Sequence, residues 1–198
     1  MSVSVIADAL GDAARYFEQL PEIAPQAAAL AINTVSQREA LPMIRREMRE
    51  QLEFPQGYLE TKDRLAIVRK ATKGALQATI RGRDRATSLA RFRVGGQNPT
   101  NTRGRGVRVQ LKRGQTRLLR KAFLVNLRGG NTGLAVRLKP GESLQNSTGA
   151  VELANNVYLL YGPSVDQVFQ TVSGDVAPNV LDSVANEFFR QLARLSNG

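Results

Sequence analysis

The sequence predicts an α+β fold with helices towards both ends of the chain, and three observations carry that expectation. Apolar residues recur at helical spacing from Pro21 to Leu52, alternate with polar neighbours in short runs between Leu65 and Leu138, and return to helical spacing from Asp182 to Leu195. With 198 residues, 42% hydrophobic and 23% charged, the chain is long enough for one ordinary domain with a core, and residues 1–198 are read as one.

Taken in order, Ile6 to Leu20 reads as a short helix, with Leu10, Ala13, Ala14 and Phe17 at helical spacing. The segment from Pro21 to Leu52 reads as a long amphipathic helix. Pro21 and Pro25 stand near its start, and Leu41, Ile44, Met48 and Leu52 form a stripe that Ala27, Leu30, Ala31 and Thr34 extend upstream. Pro42 lacks a backbone donor, so a kink or a break is expected there. Phe54-Pro55-Gln56-Gly57 ends the helix. Leu65 and Ile67, then Leu76, Ala78 and Ile80, alternate around Lys73-Gly74 as a hairpin would. Ser88 to Phe92 reads as a helical turn, and GGQNPTNTRGRG, Gly95 to Gly106, as a mobile, projecting basic loop whose deletion should spare the fold. Val107, Val109 and Leu111 alternate again, Leu118 to Leu127 is an apolar cluster, and Gly133 to Leu138 resumes strand character after Gly129-Gly130-Asn131. These strands suit an antiparallel sheet. Pro140 to Asn156 reads as loop, Val157 to Tyr161 as strand, and Val184, Phe188, Leu192 and Leu195 share one face of a closing helix.

The net charge of +11 is unevenly placed. Residues 1–61 carry a net of −4 and residues 141–198 a net of −4, whereas residues 62–140 hold 21 basic side chains against Asp63 and Asp84, a net of +19. Arginine supplies 22 of the 28 cations, and its planar fork suits phosphate or carboxylate. An anionic partner follows. The absence of cysteine and histidine removes thiolate zinc sites, cysteine nucleophiles, the Ser-His-Asp arrangement and the commonest general base. Met1 to Leu10 lack the pattern of a leader, and the longest strongly apolar run, Ala27 to Ile32, is far too short to span a bilayer, so no membrane partner is expected.

Motif matches are weak beside this charge signal. Glu60-Thr61-Lys62 matches the last part of a carboxylate–lysine nuclease signature, but helix and turn precede it where a strand with a second carboxylate is needed. Glu47, Glu50 and Glu53 interleave with Arg45, Arg46 and Arg49, as on a solvated helix face. Gly104-Arg105-Gly106 begins a dinucleotide fingerprint that Val109 interrupts, and Asn146-Ser147-Thr148 marks a polar loop. No catalytic, cofactor or metal residue is expected. Arg81, Arg83 and Arg85 alternate in a strand-like way, while Arg103, Arg105 and Arg108 lie on or beside the glycine-rich loop, where they could follow a phosphate backbone without reading sequence. Phe92 and Phe123 are the aromatic residues between 62 and 140, too few for a base-stacking module. An acidic protein surface would fit the same cations equally well.

Three stretches taken together, AINTVSQREALPMIRREMREQLEFPQGYL (31–59), ATIRGRDRATSLARF (78–92) and TRLLRKAFLVNLRGGNTGLAVRL (116–138), resemble the minor tail protein Z family of tailed bacteriophages and prophages. The resemblance runs from about residue 20 to residue 195 and lies in the order of these stretches. It implies a structural, non-enzymatic tail-completion protein of the virion, built in the host cytoplasm and placed at the neck of a long tail. It also implies a long helix lying against an antiparallel sheet, and a homohexameric ring between the tail terminator and the head–tail connector, through which double-stranded DNA passes. Under that implication, Arg81, Arg83, Arg85, Arg91, Arg93, Arg103, Arg105, Arg108, Lys112, Arg113, Arg117, Arg120 and Lys121 would meet DNA in the lumen or the neighbouring rings. The alternative is a DNA-binding protein that grips the phosphate backbone through the same arginines.

Overall fold

The computed structural model describes residues 2–6, 14–102, 104–144 and 149–197. The fold is α+β, with a 29-residue helical rod near the N-terminus, a long C-terminal helix and antiparallel sheets. The chain divides into two compact units. A helical unit comprises Met1–Met48, Leu59–Arg83 and Phe169–Gly198, and a sheet unit comprises Arg49–Tyr58 and Asp84–Val168.

In the helical unit, α1 (Ala14–Gln19) and α2 (Ile23–Val35) are followed by a π-helical turn (Ser36–Ala40) and by α3 (Leu41–Gln51), whose last residues, from Arg49, belong to the sheet unit. The break expected at Pro42 takes the form of that π turn. A proline ring clashes with the carbonyl four residues back, here Arg38, and the wider turn lets the Leu41 amide donate to Ser36 O instead. The buried upstream stripe is Ala24, Ala27, Ala28, Ala31, Ile32 and Val35, so the inferred Leu30 and Thr34, both half-buried, sit at its margin. The small alanines let Phe188 and Leu192 of the C-terminal helix, α4 (Val165–Ser196), pack directly on α2. The Phe17 ring stacks on Phe188 at 6.0 Å, and Tyr16 meets it edge-on at 6.5 Å.

The chain near the N-terminus departs from its reading as helix at Ile6, which belongs to strand β1 (Ser2–Ile6); Leu10 and Ala13 lie outside the described residues. The strand pairs antiparallel with β3 (Gln77–Gly82), Ser2 opposite Arg81, and β3 pairs on its other edge with β2 (Leu65–Arg69), giving the order β1-β3-β2. The hairpin around Lys73-Gly74 is present, closed by a Thr72–Ala75 bridge. Asn33 of α2 holds it in place: its side-chain amide donates to Ala71 O at 2.9 Å, and its carbonyl accepts from the Ala71 amide at 2.8 Å.

The sheet unit contains β4 (Ala86–Ser88), a 3-10 turn (Leu89–Phe92), β5 (Val107–Lys112), β6 (Gln115–Leu119), β7 (Ala122–Asn126), β8 (Thr132–Arg137), β9 (Ala150–Ala154) and β10 (Val157–Ser164). The larger sheet runs β4-β10-β8-β7 with β9 also on β10, and β5-β6 forms a separate ribbon. Val107, Val109, Ala122, Leu124, Leu134 and Val136 make the core between ribbon and sheet. The stretch read as loop up to Asn156 therefore contains a strand. β9 turns into β10 through Asn155 and Asn156, both with positive φ, which asparagine tolerates better than most residues.

The closing helix starts at Val165, far upstream of the inferred Asp182. Its first turn is a reciprocal cap: the Gln167 amide donates to Ser164 Oγ at 3.0 Å, and the Ser164 amide donates to Gln167 Oε1 at 2.8 Å. Gly174 and Pro178 lie within this helix and both are exposed, so the Gly174 carbonyl that Pro178 leaves without a helical donor faces water at little cost. Ser164→Ala is expected to destabilise the protein by about 1 kcal/mol, with Ser164→Thr close to wild type, measured by urea unfolding. Equal stability of all three proteins would contradict the cap.

Candidate functional site

The division into units separates the cations that the sequence placed in one run. The sheet unit holds 15 basic and 6 acidic residues, a net of +9, and the helical unit 13 and 11, a net of +2. Between Asp84 and Glu142 the sequence contains 14 basic residues and no acidic one. So many like charges in one stretch repel one another and give this part of the chain a positive field.

Arg81 and Arg83 belong to the helical unit, not to the sheet unit. Arg81 is exposed on β3, whereas Arg83 follows the strand, its amide donating to Arg64 O and its guanidinium 3.9 Å from the Asp63 carboxylate. Arg85 is exposed in the bend before β4, so the alternation of the three is not that of one strand. Arg91 donates to Asn131 Oδ1 at 3.4 Å, and Arg93 forms a bridge with Val109. Arg103 lies outside the described residues.

The remaining cations surround two clefts and the ribbon tip. Lys112 is the exposed last residue of β5, Arg113 stands in the exposed turn that follows, and Arg117 is exposed on β6. Arg105 and Arg108 line a cleft of about 420 Å³ together with Gln97, Gly106 and Leu118. Gln97 builds its wall by acting as a strand: its side-chain carbonyl accepts from the Arg108 amide at 2.8 Å, and its Nε2 donates to Arg108 O at 2.8 Å. A second cleft, about 710 Å³, is lined by Arg120 and Lys121 at the start of β7 and by Arg137 and Lys139 at and beyond the end of β8. The antiparallel register, Ala122 opposite Val136, brings the two pairs together. Arg137 and Lys139 were not among the inferred contacts; the acid-free run that reaches Pro140 was the signal for them.

Glu142 is the one acid in that cleft. It accepts from Lys121 Nζ at 2.9 Å through Oε1 and from the Lys139 amide at 3.0 Å through Oε2. The Lys139 amide first, and then the Lys121 ammonium, hold its carboxyl below the usual carboxylate range. Among the described residues, Lys121 is the one inferred contact of the sheet unit that pairs with a carboxylate.

The loop from Gly95 to Gly106 separates the clefts, Pro99 and Gly104 lining one and Asn101 and Thr102 the other. It is tied down rather than free. Thr102 is 2% exposed, and its Oγ1 accepts from the Leu124 amide at 3.3 Å. Asn98 Oδ1 accepts from the amides of Thr100 and Asn101, closing a turn within the loop. Deleting the loop would take away the hydroxyl to which the buried Leu124 amide donates, so the deletion is expected to cost stability at β7.

Glu60-Thr61-Lys62 lies in turns ahead of β2 rather than on a strand, and Glu47 accepts from Arg46 on the helix surface. Among the described residues no three His, Cys, Asp or Glu side chains gather where they could hold a metal, and no helix is long and apolar enough to cross a membrane. Comparison with protein-family models, curated proteins and solved structures gives no match.

Proposed function

We propose that the chain is a structural tail-completion protein of a long-tailed bacteriophage or prophage, which joins the upper end of the tail by surface contact and not by catalysis. The support is the ordered resemblance of its three stretches to the minor tail protein Z family, together with one physical observation: a sheet unit of net +9 in which, among the described residues, Lys121 is the one inferred contact with a carboxylate partner. Such a surface is stabilised by an anionic neighbour, whether the acidic face of another ring component or duplex DNA. In this reading the long helix against its sheet is the scaffold, copies of the chain close into a sixfold ring, and the tail terminator and connector lie on either side.

A second reading has its own observation. The exposed end of the ribbon, with Lys112 on β5, Arg113 in the turn and Arg117 on β6, could follow a phosphate backbone without any assembly. One experiment separates the two: the mass of the purified protein with and without tail tubes, at low and moderate salt, alongside its retention by duplex DNA. A ring, or a monomer that joins tubes, is the expected result. A monomer indifferent to tubes and retained by DNA in a salt-dependent manner would replace the tail reading with the second.

A further inference from the structure

The larger cleft is already partly filled by the chain itself. Glu142 sits among Arg120, Lys121, Arg137 and Lys139 and takes two donors there, an ammonium and a backbone amide, the pair of contacts a phosphate oxygen would seek. Its hold is weak in kind: the Lys121 side chain is 69% exposed and the Glu142 side chain 34%, and ion pairs this open to water contribute little and exchange readily. Arg120, Arg137 and Lys139 have no carboxylate partner among the described residues, so the cleft keeps three cations in excess after Glu142 has bound. Phe123, partly exposed on β7, supplies an apolar wall, against which a sugar ring fits better than bulk water.

We infer that this cleft is a binding site for the phosphodiester backbone of DNA and that Glu142 is a tethered competitor, which a phosphate must displace from Lys121 and the Lys139 amide. The inference rests on the reading of the basic sheet unit as a surface for polyanions. A nucleic acid is favoured over an acidic peptide because the two arginine forks and the apolar wall suit a repeating phosphate and sugar. The competitor keeps the cleft from gripping DNA tightly. Contact then becomes strong where several phosphates are offered at once, and a lone small anion gains little.

The test uses the full chain and a labelled 20-base-pair duplex, read by anisotropy across a salt series. Glu142→Gln keeps an acceptor for the Lys139 amide and removes the competing charge. It is expected to tighten binding about five-fold and to steepen the salt dependence by about one released counterion, as Lys121 becomes available. Glu152→Gln, the same charge change on the exposed strand β9, corrects for net charge and is expected to alter affinity less than about two-fold. Arg137→Ala with Lys139→Ala should weaken binding and flatten the salt slope by about two counterions.

If Glu142→Gln and Glu152→Gln behave alike while the wild type binds, the inference is overturned and the polyanion reading stands. If the wild type fails to bind duplex at any salt, both fall. Tightening of a poly-glutamate peptide by Glu142→Gln, with duplex binding unmoved, would overturn the assignment to phosphate.

Discussion

Phe188→Ala is expected to cost about 3–5 kcal/mol of stability, while the neighbouring Phe189→Ala costs about 1 kcal/mol or less. Phe188 is 0% exposed and sits on the alanine stripe of α2, with the rings of Phe17 and Tyr16 packed around it; Phe189, one step round the same helix, is 41% exposed. Truncating the buried ring removes its transfer free energy and leaves a cavity that the short methyls of Ala24, Ala27, Ala28 and Ala31 cannot collapse to fill. Urea unfolding of the two variants measures the contrast. Equal losses would mean that α4 does not present this face to α2.

Gly106→Ala is the second large effect, expected at about 3 kcal/mol, against about 1 kcal/mol for Gly104→Ala. Both glycines have positive φ, +77° and +72°, so each alanine would carry the left-handed backbone penalty. The difference lies in the surroundings. A Cβ on Gly106 would stand 2.7 Å from Leu119 O and 2.8 Å from Arg120 Cα, both backbone atoms of the ribbon's second strand and its exit, whereas a Cβ on Gly104 would have nothing within 4 Å. Relief at Gly106 requires the loop or the ribbon to move, and with them Arg105, Arg108 and Arg120 at the two clefts. Thermal unfolding measures the cost, and similar shifts for the two variants would contradict the close approach.

Much of the fold was legible because each signal was local. The alternation around Lys73-Gly74 marked β2 and β3, and Leu41, Ile44 and Met48 marked α3. The failures share a cause: a residue with a strong average preference was placed where that preference costs little. Gly174 and Pro178 lie in helix α4 on its wet side, and Asn155-Asn156 was read as polar loop although it is also a tight-turn dipeptide. Ser164-Val165-Asp166-Gln167 announced the true start of α4, and Val3 and Val5 alternate as a strand residue pair should. The charge of the candidate surface was visible in the sequence, but its grouping was not. Lys121 meets Arg137 through the β7–β8 register, and Arg81 and Arg83 fall in the other unit through topology.

The π turn has a further consequence for the rod that contains it. Counting from Ala24 in steps of about 3.6 residues passes near Ala28, Ala31 and Val35 and then arrives at Arg38 and Pro42, both exposed. Burial resumes at Ala40, Leu41, Ile44 and Met48, displaced from that count. The wide turn is thus a dislocation in an otherwise regular lattice: it absorbs the misfit between two apolar rows that a single α-helix would have pointed in different directions. Pro42, read as a fault in the rod, helps to hold that slip in place and so keeps both rows on the buried side.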